Sequence, residues 1–125
     1  MKITIQSIPH SEQRYETCGD WLFNENGDLN IWVSETNNND YTFLVGLHEA
    51  IEAYLCLKRG INEEDITKFD IEFEKQREVG NTDEPGDNKY APYRKEHFFA
   101  TNIERLIAAE LKVDWQDYDD EINKL

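Results

Sequence analysis

The chain has 125 residues, 38% hydrophobic and 12% aromatic, which suits one domain with its own core and excludes a disordered acidic segment. Its 27 acidic against 13 basic residues give a net charge of −14. That argues against direct binding to a nucleic-acid backbone, where Lys and Arg must neutralise phosphates, and favours bound cations, a peptide or basic protein partner, or imitation of DNA.

No apolar run fits a signal peptide or a membrane span. With only Cys18 and Cys56, a reducing cytoplasm with both thiols free is expected. Lys2 to Ile8 alternates, with Ile3 and Ile5 on one side, and Pro9 closes a strand. His10 is expected to be exposed, and Ser11 to Gly19 is polar without a period. Asp20 to Glu35 reads as a β-hairpin, because Asn26-Gly27 tolerates positive φ between two apolar runs.

In the connector Thr36 to Asp40, Asn39 or Asp40 is placed to cap a long helix. Leu44, Leu47, Ile51, Tyr54 and Leu55 recur at three and four residues and predict its buried face. Lys58-Arg59-Gly60 ends it. Asn62 caps a second helix with Glu63, Glu64 and Asp65 in its first turn, an Ile61/Ile66 staple, and Ile66, Phe69, Ile71 and Phe73 inward. It fades at Gln76 to Glu78.

Val79 to Pro92 has no period, and a connection of this length in a small domain points to a role. Its Asp83, Glu84, Gly86 and Asp87 lack the ligand spacing of a helix-loop-helix calcium site. A third helix is predicted from about Tyr93 to Lys112, with Phe99, Ile103, Leu106 and Val113 as an apolar face. Asp114 then caps a short last one, Trp115 to about Lys124. Strands first and helices afterwards predict a single α+β domain over residues 1–125: a strand and hairpin followed by three to four helices.

The chemistry concentrates on two of these helices. His48 and Glu52 stand one turn apart and can grip one ion, while Glu49 points roughly 100° away, where a general base would stand. The same pair is also an ordinary hydrogen-bonded helix pair. On the third helix His97, Thr101, Glu104 and Ala108 fall within about 60° of each other. Ala100 and Ala108 would let the His48 helix approach closely. His48, Glu52 and His97, with Glu104 as a fourth ligand or an outer partner, would then form a nitrogen and oxygen site for zinc or another divalent transition metal. Tyr93, or Tyr90, would steady an oxyanion. Cys56 lies roughly 12 Å from His48 along the helix and reads as a packing thiol.

Leu47-His48-Glu49-Ala50-Ile51-Glu52-Ala53, on a helix that follows a hairpin, resembles the zinc-binding helix of zincin metallopeptidases, whose pattern is His-Glu-x-x-His. The resemblance spans Asp40 to Gly60. It implies a zincin-like fold, His48 as first ligand, Glu49 as base, the residue at 52 as second ligand, a third from His97 or Glu104, and hydrolysis of peptide bonds. Glu52 departs from the pattern, and its negative charge would reduce the Lewis acidity of a bound ion. The chain also looks like small phage-borne proteins. The alternative class is a non-catalytic acidic interaction module that binds a basic surface or mimics DNA.

Overall fold

A computed structural model describes residues 1–125, and the Asn26-Gly27 turn is where its sheet begins. Asn24 Oδ1 accepts from the backbone N–H groups of Asn26 and Asp28 at 2.9 and 3.0 Å, and Gly27 takes φ 79°. From this turn β2 (Gly19–Phe23) and β3 (Leu29–Ser34) run antiparallel. β1 (Ile3–Ile8) pairs in parallel with the other edge of β3, so the order is β1-β3-β2. The central strand is therefore the most protected, and Leu29, Ile31 and Val33 are buried at the base of the core.

Four helices follow: α1 (Asn39–Lys58), α2 (Glu63–Lys75), α3 (Arg94–Glu110) and α4 (Trp115–Asn123). The α+β order expected from the sequence is the order observed. Asn62 and Asp114 cap α2 and α4 as expected, accepting from the N–H groups of Glu64 and Asp117. The cap of α1 is Asn38, not Asn39 or Asp40. Its extended backbone aims the side chain at the N–H groups of Asp40 and Tyr41, and the two expected caps lie in the first turn itself. His10 is half-buried, held by Ser34 and Glu16. No helix is long and apolar enough to cross a membrane.

The two long helices are turned over relative to their apolar stripes. α1 buries Leu44, Val45, Gly46, His48, Glu52, Ala53 and Cys56, whereas Leu47, Ile51 and Leu55 are only half-buried and Tyr54 is exposed. α3 buries Glu96, His97, Ala100, Glu104 and Ala108 and leaves Phe99 51% and Leu106 64% exposed. Helix approach explains both reversals. α3 packs along α1 more extensively than any other pair of elements, and Ala53, Ala100 and Ala108 keep that seam thin. At Gly46 an added Cβ would stand 2.8 Å from Ile5 Cγ2, so α1 also presses closely on β1. Because α1 is apolar nearly all round, its period admits more than one inner face. α2 buries Ile66 and Asp70 and leaves Ile71 exposed.

This orientation sets an order of mutational effects. Ala100→Leu is expected to destabilise by about 1–3 kcal/mol through overpacking of the α1–α3 seam, and Leu106→Ser to stay within about 0.5 kcal/mol. Urea unfolding of the two variants would show the opposite order if α3 were seated on its Phe99 face.

Candidate metal centre

Each side chain of the site is delivered by a local rule. The i, i+4 spacing on α1 stacks His48 over Glu52, and the small residues of α3 bring His97 across the seam. His48 Nε2, Glu52 Oε2 and His97 Nδ1 form a triangle with edges of 3.1, 3.1 and 3.0 Å, and all three residues are buried. These edges match the separation of neighbouring ligands around a first-row transition metal with bonds of about 2.0–2.1 Å.

Protons alone serve the triangle poorly. If both imidazoles donate to Glu52, two N–H groups face each other across 3.1 Å; if one donates to the other, the carboxylate loses a donor. A cation satisfies all three atoms at once. Two imidazoles and one carboxylate are a donor set suited to zinc, ferrous iron and similar divalent ions.

Each outward atom of the triangle faces a further polar group. His48 Nδ1 lies 2.8 Å from Glu104 Oε1, and Tyr118 donates to Glu104 Oε2 at 2.6 Å. Trp21 Nε1 donates to Glu52 Oε1 at 3.1 Å. His97 Nε2 faces Glu84 Oε2 and Asp87 Oδ1 at 2.8 and 3.2 Å. Such partners behind each ligand fix ring orientation and raise basicity in metal sites. Of the two roles open to Glu104, the structure places it behind His48.

Burial lowers the His48 imidazolium, but Glu104 and Glu52 outweigh it and lift its pKa to about 10. For His97 burial is likewise outweighed, by Asp87, Glu52 and Glu84, and the pKa rises to about 12. Burial pushes the Glu52 carboxyl up, and the two histidines draw it down to about 2. Without an ion the surrounding carboxylates thus favour the charged form of both imidazoles, which sets two N–H groups against each other across the seam.

His48, Glu52, His97, Glu84 and Glu104 line a cavity of about 340 Å³ that also takes in Glu49, Asp70 and Tyr93. Two glycines shape its walls. A Cβ at Gly86 would lie 2.4 Å from His97 Cγ, and one at Gly19 would lie 2.7 Å from Glu49 Oε1. Glu49 thus lines the same cavity without belonging to the triangle, and burial, with Glu52 adding to it, raises its pKa well above the ordinary range. Tyr93 reaches the cavity wall, but its hydroxyl donates to Asp70 Oδ1 at 2.6 Å and Tyr15 donates to Oδ2 at 2.9 Å. The oxyanion role expected of Tyr93 meets a phenol already engaged. Burial raises Asp70 to about 7 in spite of both tyrosines.

No family model, curated protein or solved structure matches the chain.

His48, Glu52 and His97 come together as the sequence predicted; Trp21, Asp70, Glu84, Asp87 and Tyr118 were not foreseen as parts of it. Glu84 and Asp87 carried a signal in the length and acidity of their loop. Trp21, Asp70 and Tyr118 carried none, since each reads as part of an ordinary strand or helix.

Two outcomes follow for the protein itself. Gly86→Ala should displace the His97 ring and weaken metal affinity by about 10–100-fold, the usual effect of disturbing a ligand's support, with circular dichroism unchanged; an unaltered affinity would contradict this cradle. In chelator, the pH dependence has a definite sign. His48 and His97, raised above the unfolded value of 6.5, stabilise fully below that value and lose their contribution as pH rises through about 10 and 12. Glu52, lowered from 4.5 to about 2, stabilises above 4.5 and loses its contribution as pH falls through 2. The urea midpoint of the metal-free protein should therefore fall between pH 7 and 10.

Proposed function

We propose that the protein is a metal-dependent hydrolase, with a divalent transition-metal ion on His48, Glu52 and His97 and Glu49 as general base. The carrying observation is the buried triangle of ligand atoms 3.0–3.1 Å apart, each backed by a second polar group. An ion held there would act as a Lewis acid towards a substrate carbonyl and make water easier to deprotonate. The chain's own residues supply the rest. A cation on the triangle would favour the ionised form of Glu49, which lines the same cavity and could then receive a proton from water and return it to a leaving amine. Glu104 and Trp21 hold His48 and Glu52 in the orientation that the ion requires.

The zincin resemblance of Leu47 to Ala53 supports a peptide or related amide as the substrate class. Glu52 in place of a histidine adds charge to the centre, which favours retention of the ion over its strength as a Lewis acid. The competing interaction-module reading rests on the charge of −14, yet Asp20, Glu52, Asp70, Glu96 and Glu104 are buried, so part of that acid serves the interior.

Elemental analysis of protein purified without added metal is expected to find a divalent transition metal that His48→Ala and His97→Ala lose. A parent protein free of metal that also fails to take up zinc would overturn the reading. Glu49→Gln should keep the metal and reduce cleavage of a fluorescently labelled unfolded protein at least about 100-fold. Zinc binding at pH 7 should also release about two protons, one from each imidazolium, measurable by calorimetry in buffers of different ionisation enthalpy. Zero release would mean that both histidines are already neutral in the metal-free protein.

A further inference from the structure

The centre has an outer side that the triangle leaves unused. The Pro85–Asp87 turn of the long loop sets Glu84 and Asp87 against the second nitrogen of His97, at 2.8 and 3.2 Å from their nearest oxygens. All three ligand atoms lie within 4.8 Å of one another. The His97 side chain is 7% exposed, and its Nε2 has no hydrogen-bond partner. Distance and direction thus disagree. A carboxylate oxygen 2.8 Å from a ring nitrogen but off the N–H line makes no good hydrogen bond. Two ligands of one cation stand in that relation, side by side, each directed at a third point.

We propose that a second divalent cation binds at the mouth of the cavity on Glu84, Asp87 and His97 Nε2. His97 then bridges two ions as an imidazolate, Nδ1 towards His48 and Glu52 and Nε2 towards the loop, and the outer ion displaces its second ring proton to solvent, one beyond the two released at the inner site. The bridge rests on the metal reading of the inner triangle; the outer site does not.

Charge supports two ions over one. Glu52, Glu84, Asp87 and Glu104 surround two histidines, more negative charge than a single divalent cation offsets. The outer donors are one nitrogen and two carboxylates that are about half exposed, a set suited to zinc or manganese in contact with solvent. Across an imidazole ring the ions would be roughly 6 Å apart, beyond the about 3.5–4 Å of paired ions that share a reacting oxygen. The outer ion is therefore assigned to holding the loop. It fastens Glu84 and Asp87 to α3 beside Gly86, whose missing side chain already lets the turn lie against the His97 ring.

Equilibrium dialysis of the full chain against zinc, with metal counted by mass spectrometry, separates the two sites. The wild type is expected to hold two equivalents, Glu84→Gln/Asp87→Asn one, and His48→Ala/Glu52→Gln one. Glu84 and Asp87 are exposed, so their double variant should keep the circular dichroism of the parent. One equivalent in both wild type and Glu84→Gln/Asp87→Asn would overturn the outer site and make these carboxylates supports for His97. Two equivalents retained in that variant would also overturn it. One equivalent that Glu84→Gln/Asp87→Asn loses and His48→Ala/Glu52→Gln keeps would support the outer site and overturn the inner one. In a copper-loaded wild type the paired ions should show exchange-coupled electron paramagnetic resonance, absent in Glu84→Gln/Asp87→Asn.

Discussion

The meeting of His48 Nε2, His97 Nδ1 and Glu52 Oε2 inside 3.1 Å is the constraint to which the rest of the fold is fitted. It requires α1 and α3 to present their polar stripes to each other, and this turns their larger apolar side chains outward. It requires a thin seam, which Ala53, Ala100 and Ala108 provide. It also requires walls without side chains, at Gly19 against Glu49 and at Gly86 against His97.

A buried cluster of this kind persists only if every charge has a partner, because an unpaired buried charge costs several kcal/mol. The structure meets that demand through a ring of outer contacts drawn from the whole chain: Trp21 from the hairpin, Tyr118 from α4, and Glu84 and Asp87 from the long loop. Strand β2 serves the sheet and the site at once, since Trp21 pairs with Ile31 in the ladder and donates to Glu52. Asp70 forms a second buried knot with Tyr15 and Tyr93, tying α2 to the residue just before α3.

The sequence made the local rules legible and left the choice of face open. The hairpin turn, two of the three helix caps, the end of α1 at Gly60 and the α+β order of elements all follow from chemistry within a few residues. The convergence of His48, Glu52 and His97 was legible because small residues at 100 and 108 marked where a helix could approach. On α1 the expected stripe is kept at Leu44 and lost at Tyr54, and the buried face of α3 differs from the expected one, since periodicity weighs Phe99 and Leu106 as core while packing rewards Ala100 and Ala108. The parallel pairing of β1 with β3, and the contacts of Trp21 and Tyr118, join residues 14 to 31 positions apart or strands far apart in order; no local pattern encodes them.

The outward turn of α1 and α3 gives the acid surplus a colloidal meaning. Phe43, Tyr54, Leu57, Phe99 and Leu106 remain in contact with water, on a chain whose isoelectric point is about 4.5. At neutral pH like-charge repulsion between molecules holds these greasy faces apart. As the pH approaches 4.5 that repulsion vanishes while the apolar area stays the same. The polar interior that builds the site thus makes solubility depend on ionised surface carboxylates.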